Sequence, residues 1–576
     1  MRHRWNGSEW ARNGGFVVVA AVVACGRAAP APLPAPVTAP AQEAMETGSP
    51  DTTALARDIP GLLREADVPG LSIAVVRDGR VVWTGAFGTV NDSARTPLDD
   101  ETVFEAASLS KPVFAWLDLR LAERGAIDLD RPLLELVEYP RLAGDPRARR
   151  ITARMVLSHS TGLPNWGGDT LRPKFEPGTA YGYSGEAFGF LQKAVERVTG
   201  EPLEELARRE VFRPLGMTRS SFVWEERFAG NAAWAKSWLW RTAPVNRYAD
   251  ANAAYTLLTT GSDYARFVAA VLTGEGLSPA SWKAFLTPVR ETSPGIHIGL
   301  GIRLEDGPGG RRFYHSGSNG RRFTSYMAGD LASGVGLAFF AGAYDGTSLV
   351  RPLASRAMGD SAPPRHWDWF DRHDDPALVA LKTVQRAAVD GGEGSAREAL
   401  AGVRLPFDQV LELGAFLEGR GLASLAVPVL ERAVAAAPDS AAAHLALGRA
   451  LESAGRLQAA IASYRHAERL EEGGVEAREH IRWAQERVAA RARSLVVDQR
   501  ALKRYAGDYR ERTITLRDGR LYYGGGADPE SALVPMGQDL FEVERNPATR
   551  IRFVGETALV AIHRDGTTDR WMRGRL

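Results

Sequence analysis

A serine and a lysine, Ser108 and Lys111, lie three residues apart in Phe104-Glu105-Ala106-Ala107-Ser108-Leu109-Ser110-Lys111. This is the only place in the chain where a Ser or Thr precedes a lysine at that distance. Positions i and i+3 of a helix share a face, so hydroxyl and amine can touch. A serine hydroxyl is a poor nucleophile until a base takes its proton. A lysine amine takes it only when uncharged, and burial or neighbouring positive charge lowers its pKa toward that condition. Such a pair needs no His-Asp couple to attack an ester or amide carbonyl. Other chemistries lack their residues. There is no His-Glu-x-x-His pattern and no glycine loop of the P-loop type. One Cys excludes an intramolecular disulfide framework and a Cys-rich zinc site. No metal and no organic cofactor is expected.

The pair needs a scaffold that secludes the amine. The pattern becomes globular from about residue 51. Leu71 to Val76 predicts a strand, Asp78-Gly79 a hairpin turn, and Val81 to Trp83 the returning strand. Helical patterns follow around 111–124, 186–199 and 202–211. Further β-type runs lie at 311–315, 323–328 and 335–341. Strands first, helices between and strands last predict an α+β catalytic unit over 51–365. Its core would be a mixed antiparallel sheet whose two ends come together, with helices packed on it. Pro363-Pro364 and the Trp/Asp-rich stretch after it mark the exit, and 366–404 reads as a connecting segment.

Several segments share one resemblance. The stretch around Ser108 resembles the nucleophile motif of class C β-lactamases and their esterase and peptidase relatives. Ile151-Thr152-Ala153-Arg154-Met155-Val156-Leu157-Ser158-His159-Ser160-Thr161-Gly162-Leu163-Pro164 resembles the loop that follows the nucleophile helix in these proteins. Glu176-Pro177-Gly178-Thr179-Ala180-Tyr181-Gly182-Tyr183-Ser184-Gly185 resembles their Pro-Gly…Tyr-x-Asn segment, with Tyr183 at the tyrosine. Val211 to Thr218 matches another frequent family stretch, and Tyr314-His315-Ser316-Gly317-Ser318 stands where the family has a Lys-Thr-Gly or His-x-Gly strand. The resemblance covers about residues 51–350 and implies a serine β-lactamase/penicillin-binding-protein-like fold.

That resemblance implies a catalytic set of Ser108, Lys111 and Tyr183. Tyr183, as a phenolate or a shared-proton partner, would relay a proton to the leaving group; Tyr181 is a rival for the role. His315 would line the other wall of the cleft and hydrogen-bond the substrate or Tyr183. Gly317 would let substrate approach the strand backbone. The backbone N–H groups of Ser108 and Ser318 would form the oxyanion hole. His159 reads as a structural loop residue. Two departures bear on the substrate. Gly185 stands where the family has an Asn that contacts the substrate amide in β-lactamases. His315 stands where a Lys helps to hold a β-lactam carboxylate. An esterase, or a peptidase acting on small or D-amino-acid substrates, therefore ranks above a β-lactamase or D-alanyl-D-alanine carboxypeptidase. A catalytically silent envelope scaffold is the reading of another class.

The remaining sequence surrounds this unit. With 576 residues and 44% hydrophobic content, three or four folded units are expected, and a net charge of +1 argues against nucleic acid as a partner. Residues 1–25 read as a signal peptide, with an apolar run from Phe16 to Ala24 too short to span a bilayer. Val22-Val23-Ala24-Cys25 resembles a bacterial lipobox, so an exported lipoprotein of the cell envelope is expected, held to membrane by a lipid on Cys25 alone; an ordinary secretory signal that contains a Cys, giving a periplasmic or secreted protein, is the alternative. Residues 26–50 are an Ala/Pro-rich tether. In 405–492, Gly414 and Gly448, Ala426 and Ala460, and Leu430 and Tyr464 recur 34 apart. This resembles the tetratricopeptide repeat and would offer a protein partner a surface beside the small ester or amide substrate. Residues 493–576 predict a small antiparallel β-domain, resembling lipocalin-like modules appended to β-lactamase-related proteins.

Overall fold

Leu71, Ile73 and Val75 pack into one core and Ala74 and Val76 into another, the period of two that a strand buried on both faces requires. The computed structural model describes residues 52–574, apart from 92–95, 169, 308, 360–362, 471–473, 494–496, 511, 526–527, 545 and 565–567. The expected leader, Cys25 and the tether lie outside the described residues, as does the turn read at Asp565-Gly566. Strand β1 (Gly70–Arg77) turns through Asp78 and Gly79, at φ 49° and 71°, into β2 (Arg80–Gly88). Positive φ at both central residues suits a two-residue hairpin to the twist of its strands. Six more strands come from the far end of the unit: β3 (Arg290–Ser293), β4 (Ile296–Ile298), β5 (Arg303–Gly307), β6 (Gly310–Asn319), β7 (Phe323–Asp330) and β8 (Val335–Ala341). The sheet order is β2-β1-β8-β7-β6-β5-β4-β3, and β1 pairs with β8 from Leu71↔Ala341 to Arg77↔Val335. Every described pairing in it is antiparallel, so no parallel pair makes it mixed. β3 to β8 follow one another back and forth, and short connections allow only that sense.

The longer helices of the unit are α1 (Thr52–Ala66), α2 (Ser110–Glu123), α3 (Gly185–Thr199), α4 (Gly261–Thr273) and α5 (Val350–Met358), with short helices at Ala153–Leu157, Leu203–Ala207 and Pro279–Phe285 beside them. α1 and α5 cover one face of the sheet, where Leu55, Ile59 and Leu353 pack with Ile73, Leu337 and Phe339. The other face meets a larger core that includes α2, α3 and α4. α2 is buried without a break from Ser110 to Leu119. A helix enclosed on all sides is a central element, held by its neighbours.

Beyond Pro363-Pro364 the chain does not leave at once. The turn Arg365–Trp369 folds back on the sheet, where His366 stacks on Tyr314 at 3.5 Å and contacts Glu305 and the Tyr326 hydroxyl at 2.7 and 2.8 Å. A boundary at 365 therefore cuts a packed turn. The segment 366–404 is mostly helix, α6 (Pro376–Ala401), interrupted at Gly392, and its Leu378, Leu381 and Val384 share the core of the helices that follow. Those are α7 (Phe407–Gly419), α8 (Ala423–Ala436), α9 (Ala441–Ser453) and α10 (Leu457–Leu470). Each boundary of the first hairpin recurs 34 residues later in the second. Packing recurs with it: a Cβ on Gly414 would fall 2.4 Å from the Leu430 side chain, and one on Gly448 2.3 Å from Tyr464. Helix α11 (Val475–Ala492) follows. Residues 507–572 form a second eight-stranded antiparallel sheet in sequence order, including the expected hairpin at Arg512–Arg517 and Arg520–Gly525. Its ends draw together where Gly574 exchanges hydrogen bonds with Asp508 and Arg510, both at 3.0 Å.

Candidate active site

Ser108 does not stand on α2 itself but in a 3-10 turn, Ala107–Leu109, that runs into it. Three residues per turn still align i with i+3. The Lys111 Nζ lies 3.2 Å from the Ser108 Oγ and donates to the Ala254 carbonyl at 2.8 Å. Lys111 is 1% exposed and forms no ion pair among the described residues. Burial lowers its pKa to about 7, so the amine is half neutral near neutral pH. Ser108 itself is 7% exposed and borders a cleft of about 510 Å³. Ala107, just before it, takes φ 50°. A positive φ at a non-glycine residue costs energy that the surrounding packing must offset.

Tyr183 reaches the same point. Lys111 Nζ lies 4.8 Å from the centre of its ring, and its hydroxyl interacts with Ser108. Burial pushes the phenol above its ordinary pKa, more than the Ser108 contact pulls it down. Tyr183 is therefore a neutral phenol at rest, not a resident phenolate. The rival Tyr181 is committed elsewhere, its hydroxyl accepting from Arg303 at 2.9 Å. His159, at φ 50°, stacks on Tyr183 with ring centres 4.3 Å apart. Its carbonyl accepts from Gly182 N at 2.8 Å and its Nδ1 from Ser184 N at 3.2 Å. The loop residue thus aims the tyrosine.

His315 departs from expectation. It is 1% exposed and does not line the cleft. Its Nδ1 donates to the Ser316 carbonyl at 2.8 Å, and its ring lies 6.5 Å from that of Tyr183. Burial, then the positive charges of Lys111 and Arg303, hold it well below the usual histidine range, hence neutral. Gly317 admits no side chain, because a Cβ there would come 2.7 Å from Ser108 N and 2.9 Å from Ala106 O. β6 therefore runs directly against the nucleophile turn. Ser318, one residue on, lines the cleft, and its Oγ is buried with no hydrogen-bond partner among the described residues.

Several lining residues carry no signal in the sequence. Arg303 on β5 borders the cleft and is 9% exposed, with no ion pair among the described residues. A lone arginine in a strand looks like any surface cation until the fold encloses it. Trp166, Tyr255 and Tyr248 form a chain of edge-to-face contacts at 5.5 and 5.8 Å on another wall. Trp369 and Asp371, from beyond the expected exit, also line the cleft. Among the described residues no group of three or more His, Cys, Asp or Glu could hold a metal ion. No described helix is long and apolar enough to cross a membrane.

A serine hydroxyl beside a buried lysine amine, set between an antiparallel sheet and a helical lobe, is an arrangement suited to serine acyl transfer. Residues 55–352, just over half the chain, match the family model described as Beta-lactamase. The chain belongs to the β-lactamase family of serine hydrolases. Esterase EstB of Burkholderia gladioli is 33% identical over 201 residues, 29% of this chain and 51% of EstB. The match thus spans about half the length of that relative. Penicillin-binding protein 4 of Amycolatopsis lactamdurans is 26% identical over 354 residues, 55% of this chain and 92% of that protein. Among solved structures a class C β-lactamase is 21% identical, covering 55% of this chain and 98% of that one with a TM-score of 0.48.

Proposed function

We propose that this protein hydrolyses an ester or a small amide through an acyl-enzyme on Ser108, as an esterase or a peptidase for D-amino-acid substrates. The observation that carries this is the buried Lys111 amine 3.2 Å from the Ser108 hydroxyl. Neutral Lys111 takes the hydroxyl proton as Oγ attacks the carbonyl. Tyr183 passes that proton to the leaving group, and the N–H groups of Ser108 and Ser318 stabilise the oxyanion. Water then attacks the acyl-enzyme and releases the acid. His315, neutral and enclosed, acts by packing behind Tyr183.

A second reading, a carboxypeptidase or β-lactamase, is favoured by Arg303. A nearly buried guanidinium with no ion pair among the described residues, on the cleft wall, suits a substrate carboxylate. Parallel turnover of nitrocefin and a p-nitrophenyl ester separates the two. Ester turnover with Ser108 acylated in intact-mass spectra, and no adduct in Ser108→Ala, is the expected result. Strong nitrocefin turnover without esterase activity would reverse the ranking. Absence of any fluorophosphonate or penicillin adduct on the Ser108 peptide would favour a silent scaffold. In this proposal the protein is exported and anchored by lipid at Cys25. The 34-residue hairpins are tetratricopeptide-like and dock a protein partner.

A further inference from the structure

The position where the family carries a substrate-binding Asn is Gly185, and the space its side chain would fill is already taken. A Cβ on Gly185 would lie 2.6, 2.8 and 3.0 Å from three carbons of the Trp166 six-membered ring. Trp166 comes from a different segment, the loop after Pro164, and that loop is clamped to the start of α3. Asn165 Oδ1 accepts from Gly185 N at 2.9 Å and its carbonyl from Glu186 N at 3.1 Å. Glu186 accepts from Gly167 N at 3.0 Å and takes both arms of the Arg141 guanidinium at 2.6 and 2.9 Å. Arg141 also donates to the carbonyls of Gly167 and Gly168 at 2.8 and 2.7 Å. The clamp fixes a tryptophan that is 46% exposed, so its ring is held in place while part of it stays open to the surroundings. It borders the cleft, and its ring meets that of Tyr255 in a T-shaped contact at 5.5 Å.

We propose that Trp166, seated over Gly185, is a specificity-determining residue: with Tyr255 it forms an aromatic subsite that receives an aryl or bulky apolar group of the substrate, in place of the amide contact an Asn would make. The proposal rests on the hydrolase reading and names its substrate class. An aromatic group on the acyl side or on the alcohol side would present the same chemistry, and the assay distinguishes them. kcat/KM is measured on methyl acetate, methyl phenylacetate and benzyl acetate for wild type, Trp166→Ala, Trp166→Phe and Gly185→Asn.

One of the two aryl esters should be preferred over methyl acetate by the wild type. That preference should fall about tenfold or more in Trp166→Ala, the size expected for losing an aromatic contact with its buried area. Gly185→Asn should lower it similarly by expelling the ring, whereas Trp166→Phe should keep it within about threefold. In parallel, calorimetry on Ser108→Ala compares binding of phenylacetamide and acetamide, with and without Trp166→Ala. Loss of all ester turnover alongside Trp166-dependent phenylacetamide binding would sink the hydrolase reading and leave the subsite standing. Ester turnover with an aryl preference that Trp166→Ala leaves unchanged, or that Trp166→Phe removes equally, overturns the subsite.

Discussion

Lys111 shows how much of the chemistry depends on water being kept from one atom. Among the described residues no ion pair supports its amine, and the Ala254 carbonyl and Ser108 are its hydrogen-bond partners. Burial alone brings its pKa to about 7. The base is active when deprotonated, so kcat/KM for an ester should rise with pH and level off above about 7. A stopped-time pH profile on the wild type checks this. Lys111→Arg, which stays protonated throughout, should lose roughly 10²-fold or more at every pH. A flat wild-type profile between pH 5 and 9 would contradict the assignment. Tyr183 fits the proposed relay in the same way: its phenol is pushed up by burial, so in that proposal the proton would come from Lys111 and Ser108 rather than pass onto a standing phenolate.

Helix α2 carries a second ionisable group that the chemistry does not use. Asp118 is fully buried, and neither carboxylate oxygen has a hydrogen-bond partner among the described residues. Burial raises its pKa to about 7. The folded state therefore holds a proton that the unfolded chain, titrating near pH 4, gives up. The stabilisation is complete below about pH 4 and is lost as pH rises through about 7. Asp118→Asn, which mimics the protonated acid, should remove this slope. Denaturant unfolding at pH 5 and pH 8 should show the wild type losing about 2 kcal/mol relative to the variant. Equal pH dependence in both would mean the carboxyl finds partners.

The three parts of the chain are joined by apolar packing and by polar contacts. The catalytic unit meets the helices where Leu239 and Trp240 pack into their core, where Lys382 donates to the Ala66 carbonyl at 2.8 Å and where Arg386 lies 3.4 Å from Asp67. The helices meet the C-terminal sheet through buried charge. Glu452, 2% exposed, accepts from Arg487 at 3.1 Å, Arg564 at 2.7 Å and the Tyr464 hydroxyl at 2.7 Å. Burial raises its pKa, but His480, Arg564, Tyr464 and Arg487 together bring it down to about 2. Its contribution is present above the unfolded carboxyl pKa and is lost as pH falls toward 2. Glu452→Ala leaves Arg564 buried without this anion, while Arg487 keeps Glu542 at 2.7 Å, and should destabilise this junction by about 3 kcal/mol at pH 7. Calorimetry should show the melting of the C-terminal part shifted down, with ester turnover retained. An unshifted thermogram would mean the cluster adds nothing.

The hairpin at Asp78-Gly79, the enclosed α2, the late strands and the 34-residue helical period were legible in the sequence, because each is a local pattern of side chains along one segment. The contact of Ser108 with Lys111 belongs with them, since helical spacing alone sets it. Choosing Tyr183 over Tyr181, turning His315 away from the cleft, and bringing Arg303, Trp166 and Trp369 to its walls required the fold. Those outcomes depend on which segments, distant along the chain, the packing of sheet and helices brings together. Even the missing side chain at Gly185 has meaning only beside a ring delivered by another loop.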